Sequence, residues 1–129
     1  MTASTTSRSE ISALGPASLR TFFRIAEVWR LDESEQRRVL GHPTWTEFQR
    51  WQRAESTPGH ETLARIGCVI GIFRALNTLF PDAAQADTWL RRPNTAPLFE
   101  GGCALDRMMC VSRSDLQTVL SYLNGQIVR

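Results

Sequence analysis

The segment from Thr57 to Asn94, TPGHETLARIGCVIGIFRALNTLFPDAAQADTWLRRPN, decides the fold. Leu63, Ile66, Ile70, Phe73 and Phe80 recur at helical spacing, with Val69, Leu76 and Asn77 beside them. Cys68, Ile72 and Ala75 make the opposite face apolar too, which predicts a helix buried on most of its sides. Thr57 is placed to cap its start, Pro58 suits the first helical position, and Glu61 in the first turn favours the helix dipole. Pro81 ends it. Through Leu79 such a helix is roughly 25–30 Å long at 1.5 Å per residue, enough to join two halves of a small protein.

Working outward from it, each flank reads as shorter helices. Residues 1–17 are small and polar, end near Gly15-Pro16, and predict a disordered arm. Ser18 is a cap for a first helix over about 18–30, with Leu19, Phe22, Phe23, Ala26 and Trp29 as its core stripe. Asp32 with Glu35 three residues on forms a capping box for a helix over 33–40, which Gly41 and Pro43 stop. Thr44 with Glu47 repeats the device for a helix to about Ala54, with Trp45, Phe48 and Trp51 on one side. Beyond Pro81 come a helix over 82–91 anchored by Trp89 and Leu90, a Gly/Pro loop over 95–102, a helix over 103–110, and a last helix from Ser112 or Ser114 to Asn124-Gly125. In the loop, Leu98 and Phe99 read better as core than as surface. The expected fold class is all-α, with units 18–56 and 57–129 after the arm.

Two short helices joined by a Gly-containing turn form a helix-turn-helix arrangement, whose second helix enters the DNA major groove. Thr44, Thr46, Gln49 and Arg50 would then meet base edges, and Arg53 a phosphate. Charge does not argue for this. The chain carries 15 Arg, no Lys and 13 acids, and residues 1–56 are near neutral, so any DNA affinity must come from local placement.

Other classes find no support. No P-loop, GxGxxG, GxSxG or HExxH occurs, and no nucleophile–base pair can be nominated, so catalysis and a cofactor are not expected. Cys68, Cys103 and Cys110 make no CxxC pair, and His42 and His60 lack ligand spacing with them, so no metal is expected. An odd cysteine count without a leader-like N-terminus suggests a reducing cytoplasm. No run of about 18 uncharged apolar residues predicts a membrane span.

The wording of the second half carries more than its periodicity. "LARIGCVIGIFRALNTLFPD", "ADTWLRRPN", "PLFEGGCALDRMM" and "LQTVLSYLNGQIV" resemble the Xre/MbcA/ParS family of bacterial antitoxins over roughly Phe22 to Val128. Trp89-Leu90, Pro93-Asn94, Phe99-Glu100-Gly101 and Leu105-Asp106 carry the resemblance best. It implies an Xre-like N-terminal half and a C-terminal half that covers the active-site cleft of a RES-domain toxin, an enzyme that degrades NAD or transfers ADP-ribose. The matching positions are Trp89, Arg91, Arg92, Asn94, Phe99 and Arg107, with Tyr122, Gln126 and Arg129 toward the C-terminus. Operator DNA and a second copy of the chain are further expected partners, because Xre-like readers bind two half-sites as dimers. A free-standing helix-turn-helix regulator and a plain helical oligomerisation module remain as other readings of the same pattern.

Overall fold

The computed structural model of the chain describes residues 8–110 and 112–127, with side chains from Gly15 onward. Among the described residues seven α-helices follow one another: α1 (Arg8–Val28), α2 (Glu33–Val39), α3 (Trp45–Gln52), α4 (His60–Leu79), α5 (Ala83–Trp89), α6 (Ala104–Met108) and α7 (Arg113–Ile127). A 3-10 turn, Pro97–Phe99, lies between α5 and α6. Among the described residues there is no strand, only an isolated bridge between Pro93 and Cys103. The all-α expectation holds.

The central helix packs most extensively on α7, then on α1 and α5. Ile66, Val69, Ile72, Ala75 and Leu76 are its buried positions, with Leu63, Ile70, Phe73 and Phe80 partly buried beside them. An all-round apolar helix can serve two neighbours at once, and here one buried cluster runs from Leu19 of α1 to Leu123 of α7. By length and mean hydropathy (1.3) α4 is apolar enough to cross a membrane. Its packing between α1 and α7 is that of a core helix. Phe80 ends it in an extended conformation (φ −115°, ψ 111°), as a residue before proline must.

Three boundaries differ from those predicted. α1 begins at Arg8, ahead of Ser18, and passes through Gly15 and Pro16. Gly15 is buried where a Cβ would collide with the Cγ2 methyl of Thr57, so this glycine marks a close approach of chains and not a break. The same contact explains the second difference. Thr57 packs on α1 and Pro58 is buried, so α4 starts later, at His60, with Gly59 as its cap and no side-chain bond. Third, α7 runs past Asn124-Gly125 to Ile127, because a glycine stops a helix only where the chain turns left-handed, and Gly125 does not.

The first three helices end alike. After α1, Leu31 N–H donates to Ala26 O (2.9 Å) and Arg30 stands at φ 57°. After α2, His42 N–H donates to Arg37 O (2.8 Å) and Gly41 stands at φ 99°. After α3, Glu55 N–H donates to Arg50 O (2.8 Å) and Ala54 stands at φ 58°. These are Schellman closures, and only the middle one has the glycine that announces it.

Among the described residues one charged side chain is fully buried. Arg65, on α4, is 1% exposed. Its Nε donates to Val39 O (2.9 Å), and Nη2 donates to Arg38 O (3.4 Å) and Cys110 O (3.0 Å). It thus caps the carbonyl ends of α2 and of the α6 segment, where a cation also suits both dipoles. Gly41 is required twice over, by its positive φ and because a Cβ there would lie 3.1 Å from Arg65 Cδ. Burial lowers the Arg65 pKa from its ordinary value, yet a guanidinium keeps its charge.

Removing this cation strands buried carbonyls on two elements. Arg65→Ala should cost at least about 3 kcal/mol, read as a shift of the urea midpoint at unchanged slope. At the exposed Ala54, glycine relieves the left-handed strain, so Ala54→Gly should stabilise by on the order of 1 kcal/mol in the same assay.

Candidate toxin-binding face

The loop between α5 and α6 is held closed at its neck. Asn94 N–H donates to Gly102 O (2.9 Å) and Leu105 N–H to Leu90 O (3.0 Å). The Asn94 carboxamide oxygen accepts from Ala96 N–H (2.9 Å), setting the turn into Pro97–Phe99. Glu100 (φ 50°) and Gly101 (φ 83°) then reverse the chain. Glu100 and Gly101 are exposed at its tip.

An aromatic row fixes the loop to the helices. The Phe99 ring lies edge-on between Trp89 of α5 (5.9 Å) and Tyr122 of α7 (5.4 Å). Phe99 is buried, as expected for core, while Trp89 and Tyr122 keep part of their surface open. Such edge-to-face pairs each add about 0.5–1.5 kcal/mol beyond burial. They make three elements, adjacent only through the fold, one surface.

The predicted cations divide into two kinds. Arg107 Nη1 donates to Leu98 O (3.0 Å), and its Nε lies 3.1 Å from the Asp115 carboxylate of α7, so it braces the loop from behind. Arg91 reaches back to the first half. Its Nη1 and Nη2 meet the two Glu35 oxygens at 2.9 and 3.0 Å, and Nη2 also donates to Arg30 O (2.9 Å). Glu35 meanwhile accepts from Asp32 N–H (2.9 Å) as the second member of the α2 capping box. Arg92 is exposed, with a single bond to Gln85 O (3.2 Å). With Trp89, Pro93, Asn94 and Thr95 it lines a shallow groove. Gln126 is partly exposed near the end of α7, and Arg129 lies outside the described residues. The face therefore offers Trp89, Arg92, Asn94, Tyr122 and Gln126, while Arg91, Phe99 and Arg107 hold it in shape.

Of two residues that matter to this architecture, Arg65 was not singled out in the sequence and Glu35 was singled out for one of its two roles. Arg65 could have been found as a cation one position from Ile66 on the face that buries Val69 and Ile72. Glu35 carried a signal for capping only.

The possible DNA-facing residues sit on one short element. Thr44 caps α3 and accepts from Glu47 N–H (3.2 Å). Thr46, Arg50 and Arg53 are exposed at helical intervals, and Gln49 is half-buried. The predicted apolar side of α3 needs one correction: Phe48 and Trp51 are buried, but Trp45 is 43% exposed. At the first position of the helix its ring projects past the core edge.

Residues 75–126, from the end of α4 through α7, match the family described as antitoxin Xre/MbcA/ParS C-terminal toxin-binding domain. Over 120 residues the chain is 40% identical to a protein of Sinorhizobium fredii (strain NBRC 101917 / NGR234) named "Uncharacterized protein y4oB", covering 93% of this chain and 92% of that one. The C-terminal part of the chain belongs to the Xre/MbcA/ParS antitoxin family. Its toxin-binding domain implies a toxin as partner.

The Arg91 clamp has a testable pH signature. The Arg91 guanidinium, bonded to Glu35, holds that carboxyl below its ordinary 4.5. A depressed carboxyl contributes stability that is complete above the unfolded value and is lost as pH falls through the folded one. Arg91→Ala should destabilise by on the order of 1 kcal/mol at pH 7, since Arg91 is largely exposed. The gap between variant and wild type should close as the pH is taken below 4.5 in denaturant titrations.

Proposed function

We propose that this chain blocks the active site of a RES-domain toxin that consumes NAD or transfers ADP-ribose, and that it represses its own operon as a homodimer. The observation that carries the first part is the family match to a toxin-binding domain, falling on the surface built by α5, the Pro97–Phe99 loop and α7. The open part of that surface combines an aromatic edge, Trp89, with an unconsumed cation, Arg92, and the amides of Asn94 and Gln126. A dinucleotide cleft is lined by stacking surfaces and by donors for phosphate. An inhibitor seated there needs rings that stack and polar groups that satisfy the lining. The protein acts as an inhibitor in the cytoplasm, without chemistry of its own.

Autoregulation has support of a different kind. α2 and α3 are joined by the five residues 40–44, and the Gln52 amide at the end of α3 donates to Glu33 at the start of α2 (2.8 Å). That bond ties the end of α3 to the start of α2, and Thr46, Arg50 and Arg53 are exposed. The alternative, a helix-turn-helix regulator without a toxin, uses the same surface and leaves the aromatic face without a task.

Co-expression separates the two. The reading frame adjacent to the gene should arrest growth when induced alone, and this chain should restore growth and co-purify with its product. Arg92→Glu should keep the melting temperature, because the side chain is exposed, and weaken rescue at least tenfold in the inducer titration. A harmless neighbour that fails to co-purify overturns the toxin reading.

A further inference from the structure

Trp45 is a large apolar side chain turned to solvent beside two turns of polar helix, and it is not loose. The Arg37 guanidinium lies 5.0 Å from its ring centroid, and the Phe48 ring packs at 5.6 Å, tilted 31°. Arg37 is itself tied to the turn, Nη2 donating to Pro43 O (2.9 Å). The indole is therefore held by α2, the turn and α3 together while 43% of its surface stays open. Trp29 and Trp51 are both buried. A rigid exposed aromatic costs solvation in the free protein and returns it only against a partner.

The position says which partner. Trp45 is the first residue of α3, between the capping Thr44 and the exposed Thr46; Thr46, Arg50 and Arg53 share one helical face, and Trp45 borders it about 100° round the helix. Hydroxyls, an apolar edge and one guanidinium toward the bases, then Arg53 toward the backbone, form the order in which a recognition helix meets DNA. The major groove offers one apolar feature, the thymine C5-methyl group.

We infer that Trp45 is a specificity determinant that reads a thymine methyl in operator DNA. The inference rests on the operator-binding part of the proposed function. Arg37 is then a positioning residue, fixing the indole without touching the bases.

The test uses duplexes selected from a random library by the full-length wild-type protein, resynthesised with deoxyuridine in place of thymidine at each position in turn. Deoxyuridine removes the methyl and leaves pairing intact. For wild type, one or two substitutions should weaken binding by about fourfold each, the worth of one buried methyl-sized group. Trp45→Ala should bind the thymidine duplex more weakly and be indifferent to those same substitutions, while still rescuing growth from the toxin. Selection of a duplex whose affinity ignores every deoxyuridine overturns the inference and leaves operator binding standing. Failure to select any duplex overturns operator binding and the inference with it. Normal DNA binding by Trp45→Ala, with loss of toxin rescue, assigns the indole to the toxin and also overturns it.

Discussion

A guanidinium with almost no access to water is the constraint on which the other parts of this structure rest. A buried charge is tolerated only if its donors are met, and a helix end only if its carbonyls are. Arg65 answers both demands at once by meeting Arg38 O and Val39 O at the end of α2 and Cys110 O after α6. The requirement spreads from there. Gly41 must lack a side chain because Arg65 lies against it, and its positive φ closes α2. That closure sets the turn that aims α3. The His42 ring nitrogen lies 3.1 Å from Met109 O, a second tie between the same two places. The central helix is thus both the hydrophobic axis of the protein and its polar rivet.

Much of the fold was legible from residue order. The Asp32/Glu35 capping box, the Thr44 cap of α3, the proline stop after α4 and the apolar stripes all report local physics, and each produced the helix expected of it. The misread boundaries share a cause. Gly15, Thr57 and Gly125 carry the residue types of breaks and caps, but what they do is decided by a neighbour far away in sequence, or by its absence. Gly15 lies under Thr57, and Gly125 faces open space. The closures at Arg30 and Ala54 were invisible for the converse reason: a left-handed residue that is not glycine leaves no mark in the sequence.

The candidate face was legible in wording and not in mechanism. Family resemblance picked out Trp89, Arg91, Arg92, Asn94, Phe99 and Arg107 together. The structure then sorts them by what their atoms already touch. Arginine presents several donors, so it is drawn to unpaired carbonyls, and Arg91 and Arg107 find them at Arg30 and Leu98. Phe99 is the middle ring of three and turns inward for that reason. Spacing along a chain cannot distinguish a side chain that faces a partner from one that braces those that do.

The double use of Glu35 has a consequence for how proteins of this build can be recombined. One carboxylate completes the cap of α2 and grips Arg91, fifty-six residues away in the second half. The short segment at 56–59 looks like a natural seam for exchanging toxin specificities between antitoxins. A cut there would separate Arg91 from Glu35, and Arg65 from the carbonyls of Arg38 and Val39. A working chimera has to keep a carboxylate at 35 and a glycine at 41 along with the incoming C-terminal half. Inheritance of a new toxin partner is thus coupled to the end of α2 and the turn that follows it.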